Sequence, residues 1–225
     1  MTRPRTIRAV CIALAAAAVY ALMWVGYAQG WHWQQRMDSS LLNAARDNAV
    51  THPLWVRFWA DVSFALGPVP LHVLGTVAAI AALVARRVRA ALLLLACAPL
   101  SGLVTVAAKL LADRPRPSTM LVTAAETSFP SGHALEVTAA LLAALSLVLP
   151  TMNRVARRGV VAVVVLSVLA AGISRVALNV HYPSDVLAGW SLGYLYFLLC
   201  LMVIRPPSAV FSRKPCDAGD LVTAR

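Results

Sequence analysis

Six stretches of this chain, residues 9–28, 69–85, 90–108, 132–149, 159–178 and 186–204, are almost purely apolar. Each holds about 17–20 residues, the length at which a helix crosses the ~30 Å hydrocarbon core of a bilayer. A bilayer admits only structures whose backbone polar groups are satisfied internally, and runs of this length meet that demand as helices. The runs follow one another with short connections. They predict one all-α domain over residues 1–205, a six-transmembrane-helix bundle. Composition agrees: 60% of residues are hydrophobic and 13% charged, against about 25% charged in soluble domains. Residues 206–225 are polar, contain Pro206-Pro207, and are expected to form a disordered tail.

The connections carry their own signals. Arg3, Arg5 and Arg8 precede the first run. That run is longer than a signal-peptide core, so a retained anchor is expected rather than a cleaved leader. The mixed segment Gln29–Asp61 holds Trp31, Trp33, Trp55 and Trp59. It predicts short interfacial helices that anchor the chain at the membrane surface. Pro99 with Ser101-Gly102 predicts a kink in the third span. Asn153–Arg158 reads as a short basic turn, and Gly189 with Gly193 as a site of close helix packing. The four cysteines, Cys11, Cys97, Cys200 and Cys216, form no Cys-x-x-Cys pair, so neither a disulfide framework nor a zinc site is expected.

The net charge is +11. In a soluble protein that would point to nucleic acid, but no nucleic-acid module is present and the bases are sorted by loop. Thirteen bases against Asp217 and Asp220 fall on the side of the termini and the two short loops, among them Arg86, Arg87, Arg89, Arg154, Arg157 and Arg158. The other side balances seven bases with seven acids. This asymmetry places both termini in the cytoplasm and the longer connections outside.

On that outer side three stretches meet. Lys109-x6-Arg116-Pro117 leaves the third span. Phe129-Pro130-Ser131-Gly132-His133 enters the fourth. Ser174-Arg175-x5-His181-x3-Asp185 joins the last two. Lys109, Arg116 and Arg175 suit a phosphate, the arginines in a bidentate way. Ser131-Gly132-His133 opens a helix whose free N–H groups favour an anion, and Gly132 allows close approach of backbone to ligand. Pro183 suits the first position of the last helix, which puts Asp185 in its first turn, where it can hold one nitrogen of His181 and leave the other free. His133 and His181 supply one group for attack and one for acid work. No carboxylate cluster points to a metal, so no cofactor is expected and the cations take its place. Arg114, outside this pattern, reads as surface charge or a headgroup contact. Glu136 reads as a packing residue within reach of His133.

Taken in order, the three stretches resemble the signature of the type 2 phosphatidic acid phosphatase family, the lipid phosphate phosphatases: Lys-x6-Arg-Pro, Pro-Ser-Gly-His and Ser-Arg-x5-His-x3-Asp. The match is without departure, and the six spans favour the membrane branch. The resemblance implies that His181 is a nucleophile forming a phosphohistidine, Asp185 its orienting partner and His133 the acid that protonates the leaving oxygen. It implies a phosphate cradle of Lys109, Arg116, Ser131, the Gly132 amide and Arg175. It implies a multi-pass protein of the cytoplasmic membrane with an outward-facing site, acting without metal on a membrane lipid phosphate or diphosphate. Polyprenyl diphosphate is the leading substrate; phosphatidic acid and phosphatidylglycerol phosphate are the others. A phosphotransferase using the same cradle is the nearest alternative. A transporter is disfavoured by spans made almost wholly of Ala, Val and Leu. The sequence sets no oligomeric state.

Overall fold

Helices dominate because the chain is rich in Ala and Leu and because a backbone in hydrocarbon must satisfy its own N–H and C=O groups. The computed structural model describes residues 3–124 and 127–204. Among them it contains α-helices and no strands. The polar tail 206–225 lies outside the described residues, and so does Glu126. Six helical segments are long and apolar enough to cross a membrane: Ile7–Ala28, Trp55–Val84, Val88–Ala112, Gly132–Thr151, Arg154–Ala177 and Pro183–Ile204. The molecule is a multi-pass membrane protein.

The first segment lies within α1 (Arg3–Ala28). It is followed by α2 (His32–Thr51), a single 20-residue helix where the sequence predicts several short ones. Its buried face is Gln34, Asp38, Leu42 and Ala45, a helical spacing in which polar residues occupy two of the four places. The approach to α1 is close at Gly26, where a β-carbon would collide with the Gln34 side chain. The Gln34 amide donates to the Met23 carbonyl at 3.1 Å.

The second segment is built from α3 (Trp55–Ala65) and α4 (Pro68–Val84), broken at Leu66-Gly67, so it is longer than the predicted run. The third is likewise two helices, α5 (Val88–Cys97) and α6 (Ser101–Ala112). The disruption at Pro99 is therefore a break rather than a kink, because proline cannot donate to the helical ladder. Asp113, with φ of 42°, ends α6 in a left-handed turn, a conformation aspartate tolerates better than most residues.

The fourth segment begins with α7 (Gly132–Val148), the fifth is α8 (Arg154–Ala177) and the last is α9 (Pro183–Ile204). The basic stretch 154–158 is the start of α8 rather than a turn. Arginine is a good helix former, and the Asn153 side chain caps the helix by accepting from the Ala156 N–H at 2.9 Å. α9 packs on α7 through the predicted glycine pair. A β-carbon at Gly189 would lie 2.6 Å from the Ser131 carbonyl oxygen, and one at Gly193 would run into that of Leu135. An apolar core of Leu93, Cys97, Ala139, Ala143, Phe197 and Cys200 joins α5, α7 and α9. Val73, Val77 and Ile80 of α4 and Leu103, Val106 and Leu110 of α6 point outward as a hydrocarbon-facing surface.

Candidate active site

The turn between α8 and α9 carries His181, and its shape follows from one asparagine. Asn179 adopts φ of 53°, the left-handed position that commonly ends a helix. The Asn179 N–H then bonds the Val176 carbonyl at 2.9 Å, and the Val180 and His181 N–H groups both reach the Arg175 carbonyl, at 3.1 and 3.3 Å. This closes α8 and holds His181 beside the arginine six residues before it. His181 is 2% exposed.

The two ring nitrogens of His181 face different surroundings. Arg116 Nη1 lies 3.2 Å from Nε2. A guanidinium has only donors, so Nε2 accepts and the ring proton is assigned to Nδ1. Nδ1 lies 3.4 Å from Asp185 Oδ2, close enough to feel the carboxylate but short of hydrogen-bond geometry. Burial pulls the imidazole down to about 4; Asp185 opposes this, and Arg175 and Arg116 add to it. His181 is therefore neutral at pH 7, with Nε2 carrying the lone pair.

Asp185 itself is fully buried. Its Oδ2 accepts from the Tyr182 N–H at 2.9 Å and its Oδ1 from Arg114 Nη1 at 2.7 Å. Arg114 is 7% exposed rather than on the surface. Its Nη2 donates to Asp38 Oδ2 at 2.8 Å, its Nη1 also reaches Ser184 Oγ at 2.8 Å, and its plane lies 3.9 Å over the Tyr182 ring. Burial disfavours its charge, but Asp185 and Asp38 more than offset this and keep its pKa above the ordinary value. The sequence reading of Arg114 as surface charge is thus corrected. Its fork is bonded to two carboxylates and stacked on an aromatic ring.

On the Nε2 side, Lys109 Nζ donates to the Thr127 carbonyl at 2.9 Å, and Arg116 Nη1 to the Val180 carbonyl at 2.6 Å. Arg175 Nη1 donates to Ser63 Oγ at 2.6 Å, while its Nε is buried without a hydrogen-bond partner. Ser131, the residue before α7, is fully buried; its N–H bonds the Asp185 carbonyl at 3.0 Å and its Oγ is unpartnered. His133 stands in the first turn of α7, within electrostatic reach of Arg175, His181, Arg116 and Lys109. All the residues singled out from the sequence therefore gather at one end of the bundle.

A model of the PAP2 superfamily matches residues 90–207, more than half of the chain. The protein belongs to the PAP2 superfamily. Over 91 residues it is 41% identical to phosphatidylglycerophosphatase B of Bacillus subtilis strain 168, a match covering 39% of this chain and 44% of that protein. Over 92 residues it is 37% identical to a lipid A 1-phosphatase of Rhizobium etli, covering 41% of this chain and 36% of that one. The matches span less than half the length of these curated relatives. Among solved structures, the crystal structure of a transmembrane PAP2 type phosphatidylglycerolphosphate phosphatase from Bacillus subtilis has the same fold. Its TM-score is 0.71, at 24% identity over 86% of this chain and 96% of that one.

Within this PAP2 chain Gly132 and Glu136 also join α7 to its neighbours. A β-carbon on Gly132 would meet Thr105 Cγ2 at 2.8 Å, so the glycine also serves the close contact of α7 with α6. Glu136 accepts from Thr105 Oγ1 at 2.8 Å and lies 2.9 Å from His72 Nε2, tying α7 to α6 and α4. Three contributors escaped the sequence reading: Ser63, which holds Arg175, and Asp38 with Ser184, which hold Arg114. Asp38 lies on the buried helical face of α2, a periodicity that was readable. Its polar members disguised that face as solvent-exposed.

Proposed function

We propose that this PAP2 protein hydrolyses the terminal phosphate of a membrane lipid through a phosphohistidine on His181. The observation that carries the reading is the pairing of a neutral His181 Nε2 with buried, unpartnered Arg175 Nε and Ser131 Oγ beside two more cations, Arg116 and Lys109. A buried polar atom without a partner costs roughly 1–3 kcal/mol. A phosphate oxygen would satisfy both atoms and answer the excess positive charge.

In this mechanism the phosphoryl group seats against Arg175, Arg116, Lys109, Ser131 Oγ and the N–H groups that open α7, Gly132 among them. Arg116 turns its guanidinium from His181 Nε2 onto the phosphate. Nε2 attacks phosphorus; the N–P bond forms as the bond to the lipid oxygen breaks, and His133 gives that oxygen its proton. The Nδ1–H side of the ring, now cationic, is stabilised by Asp185. Water then attacks phosphorus and loses a proton to His133. The P–N bond breaks, and free phosphate leaves with both histidines as they began. Cations and helix amides perform the charge stabilisation, so no metal is required by the residues present.

Residues 1–205 act as one unit in this reading, with the site on the outer membrane surface and both termini in the cytoplasm. The arginine excess of the opposite loops supports that orientation. The cradle recognises a terminal phosphoryl group and leaves the tail to the bilayer. Phosphatidylglycerol phosphate joins polyprenyl diphosphate at the head of the substrate panel because one relative carries the former in its name. Purified protein in detergent should release phosphate from such a panel in the presence of EDTA. Silence on every lipid phosphate, or activity restored only by added magnesium, would overturn the reading. On a background without other cysteines, Thr123→Cys should react with an impermeant thiol reagent applied to intact cells and Arg157→Cys should not; the reverse labelling would refute the orientation.

A further inference from the structure

The residues behind Asp185 form a closed set of their own. Two carboxylates, Asp38 and Asp185, are 2% and 0% exposed and share one guanidinium, that of Arg114. Asp38 belongs to α2, outside the membrane-spanning segments. Its Oδ1 accepts from the Ser184 N–H at 2.9 Å and its Oδ2 from the Ser184 hydroxyl at 2.6 Å. It therefore caps the first turn of α9 from another helix, supplying an acceptor to an N–H group that has none inside the helix. With Oδ1 of Asp185 taken by Arg114 and Oδ2 by the Tyr182 amide, the carboxylate cannot rotate, and its remaining free direction faces His181 Nδ1. The Arg114 guanidinium carbon in turn lies over the rings of Tyr182 and Tyr27, at 3.9 and 4.8 Å from their centroids.

We propose that Asp38 and Arg114 are positioning residues for His181. Arg114 holds Asp185 in place and neutralises part of its charge, and Asp38 holds Arg114 and sets how much of that charge Asp185 feels. This rests on His181 being the nucleophile. An unopposed Asp185 would make His181 more basic and protonate it at higher pH. An Arg114 freed from Asp38 would act on Asp185 more fully and make His181 less basic. The charged and titratable groups around His181 are Asp185 on α9, Arg175 on α8, His133 on α7, Lys109 on α6, Arg116 after α6 and, through Asp185, Arg114 and Asp38. The adjacent Tyr182 completes the set.

The two ends of the chain of contacts thus predict shifts of opposite sign, which a purely structural role would not give. The full-length protein in detergent is assayed from pH 3.5 to 9, on the order of the range that brackets the histidines, with short-chain phosphatidic acid as the probe. Arg114→Gln should move the acid limb of kcat/KM up by about one pH unit. It should lower kcat by roughly ten- to a hundredfold with little change in KM, because neither residue touches the phosphate. Asp38→Asn, nearly isosteric, should move the limb down by less. Arg114→Lys should restore the position of the limb but not all of kcat, since an ammonium lacks the fork. Thermal unfolding is followed for each variant; if Arg114→Gln does not fold, the direction of the Asp38→Asn shift decides. Limbs left at the wild-type pH, shifts of the same sign, or effects confined to KM would overturn the proposal. His181→Ala separates the two questions. Activity in that variant refutes the nucleophile, whereas an inactive His181→Ala with unshifted limbs in the others refutes only the role of Asp38 and Arg114.

Discussion

The two sides of the His181 ring are built on opposite principles. Behind Nδ1, Asp185, Arg114, Asp38 and Ser184 satisfy one another at 2.6–2.9 Å, two carboxylates about one guanidinium. In front of Nε2, three cations converge, and Arg175 Nε and Ser131 Oγ are buried without partners. Both regions are polar, buried and lined by residues from several helices. The first has the economy of a core, in which every donor has its acceptor. The second is arranged for a group that brings negative charge with it. One imidazole lies between them, with a carboxylate behind Nδ1 and the Arg116 guanidinium over Nε2, and in the proposed mechanism a phosphate draws that guanidinium away and leaves Nε2 to attack.

Experiments that break this contrast begin with the ring itself. His181→Ala should abolish turnover with every leaving group and trap no labelled phosphate on acid quench; label on that variant would move the nucleophile elsewhere. His133→Ala should come next, losing about 10²–10⁴-fold on an alkyl phosphate and much less on an activated aryl phosphate whose leaving group needs no proton. Equal losses on both substrates would deny His133 the role of acid. On the cation side, Arg175→Lys keeps the charge but removes the fork, and should reduce kcat/KM by about 10²-fold. Full activity in that variant would mean that point charge alone is read.

The smallest effect concerns pH. Because the His181 pKa lies at about 4 in the fold against 6.5 in the unfolded chain, the unfolded state takes up the proton first as pH falls. The contribution of this group to stability is therefore whole above about pH 6.5, declines between 6.5 and 4, and is constant below. Comparing thermal midpoints of wild type and His181→Ala across that window checks the sign. A difference that grows as pH falls would contradict the burial of a neutral ring.

Much of the fold was legible because hydropathy is local. The runs at 132–149 and 186–204 needed no knowledge of their partners to be read as helices, and Pro183 marked the start of α9 by its own chemistry. The start of α8 was misread because its five residues 154–158 were judged by charge, when the cap at Asn153 and the helix propensity of arginine decide the matter. The site motifs were legible as residue types at fixed spacing. Their supports were not. Asp38 and Ser184 meet across 146 positions of sequence, and Arg175 finds Ser63 across 112. No local pattern encodes such pairings.

The clearest division lies within Arg114-Pro115-Arg116-Pro117. The sequence by itself determined that two arginines, each fixed by a following proline, leave α6 at the end of the bundle where His133 and His181 emerge. It also determined the helices that bring those histidines there. The Lys109-x6-Arg116-Pro117 spacing singled out Arg116, but nothing in the sequence placed Arg114 in the interior. Tertiary structure decided that Arg114 goes inward, between Asp38 and Asp185 and against Tyr182, while Arg116 goes to Nε2 of His181. The reason is that a buried charge is tolerated only where a counter-charge and hydrogen-bond partners await it. Those partners arrive on α2 and α9, placed by the packing of the whole bundle.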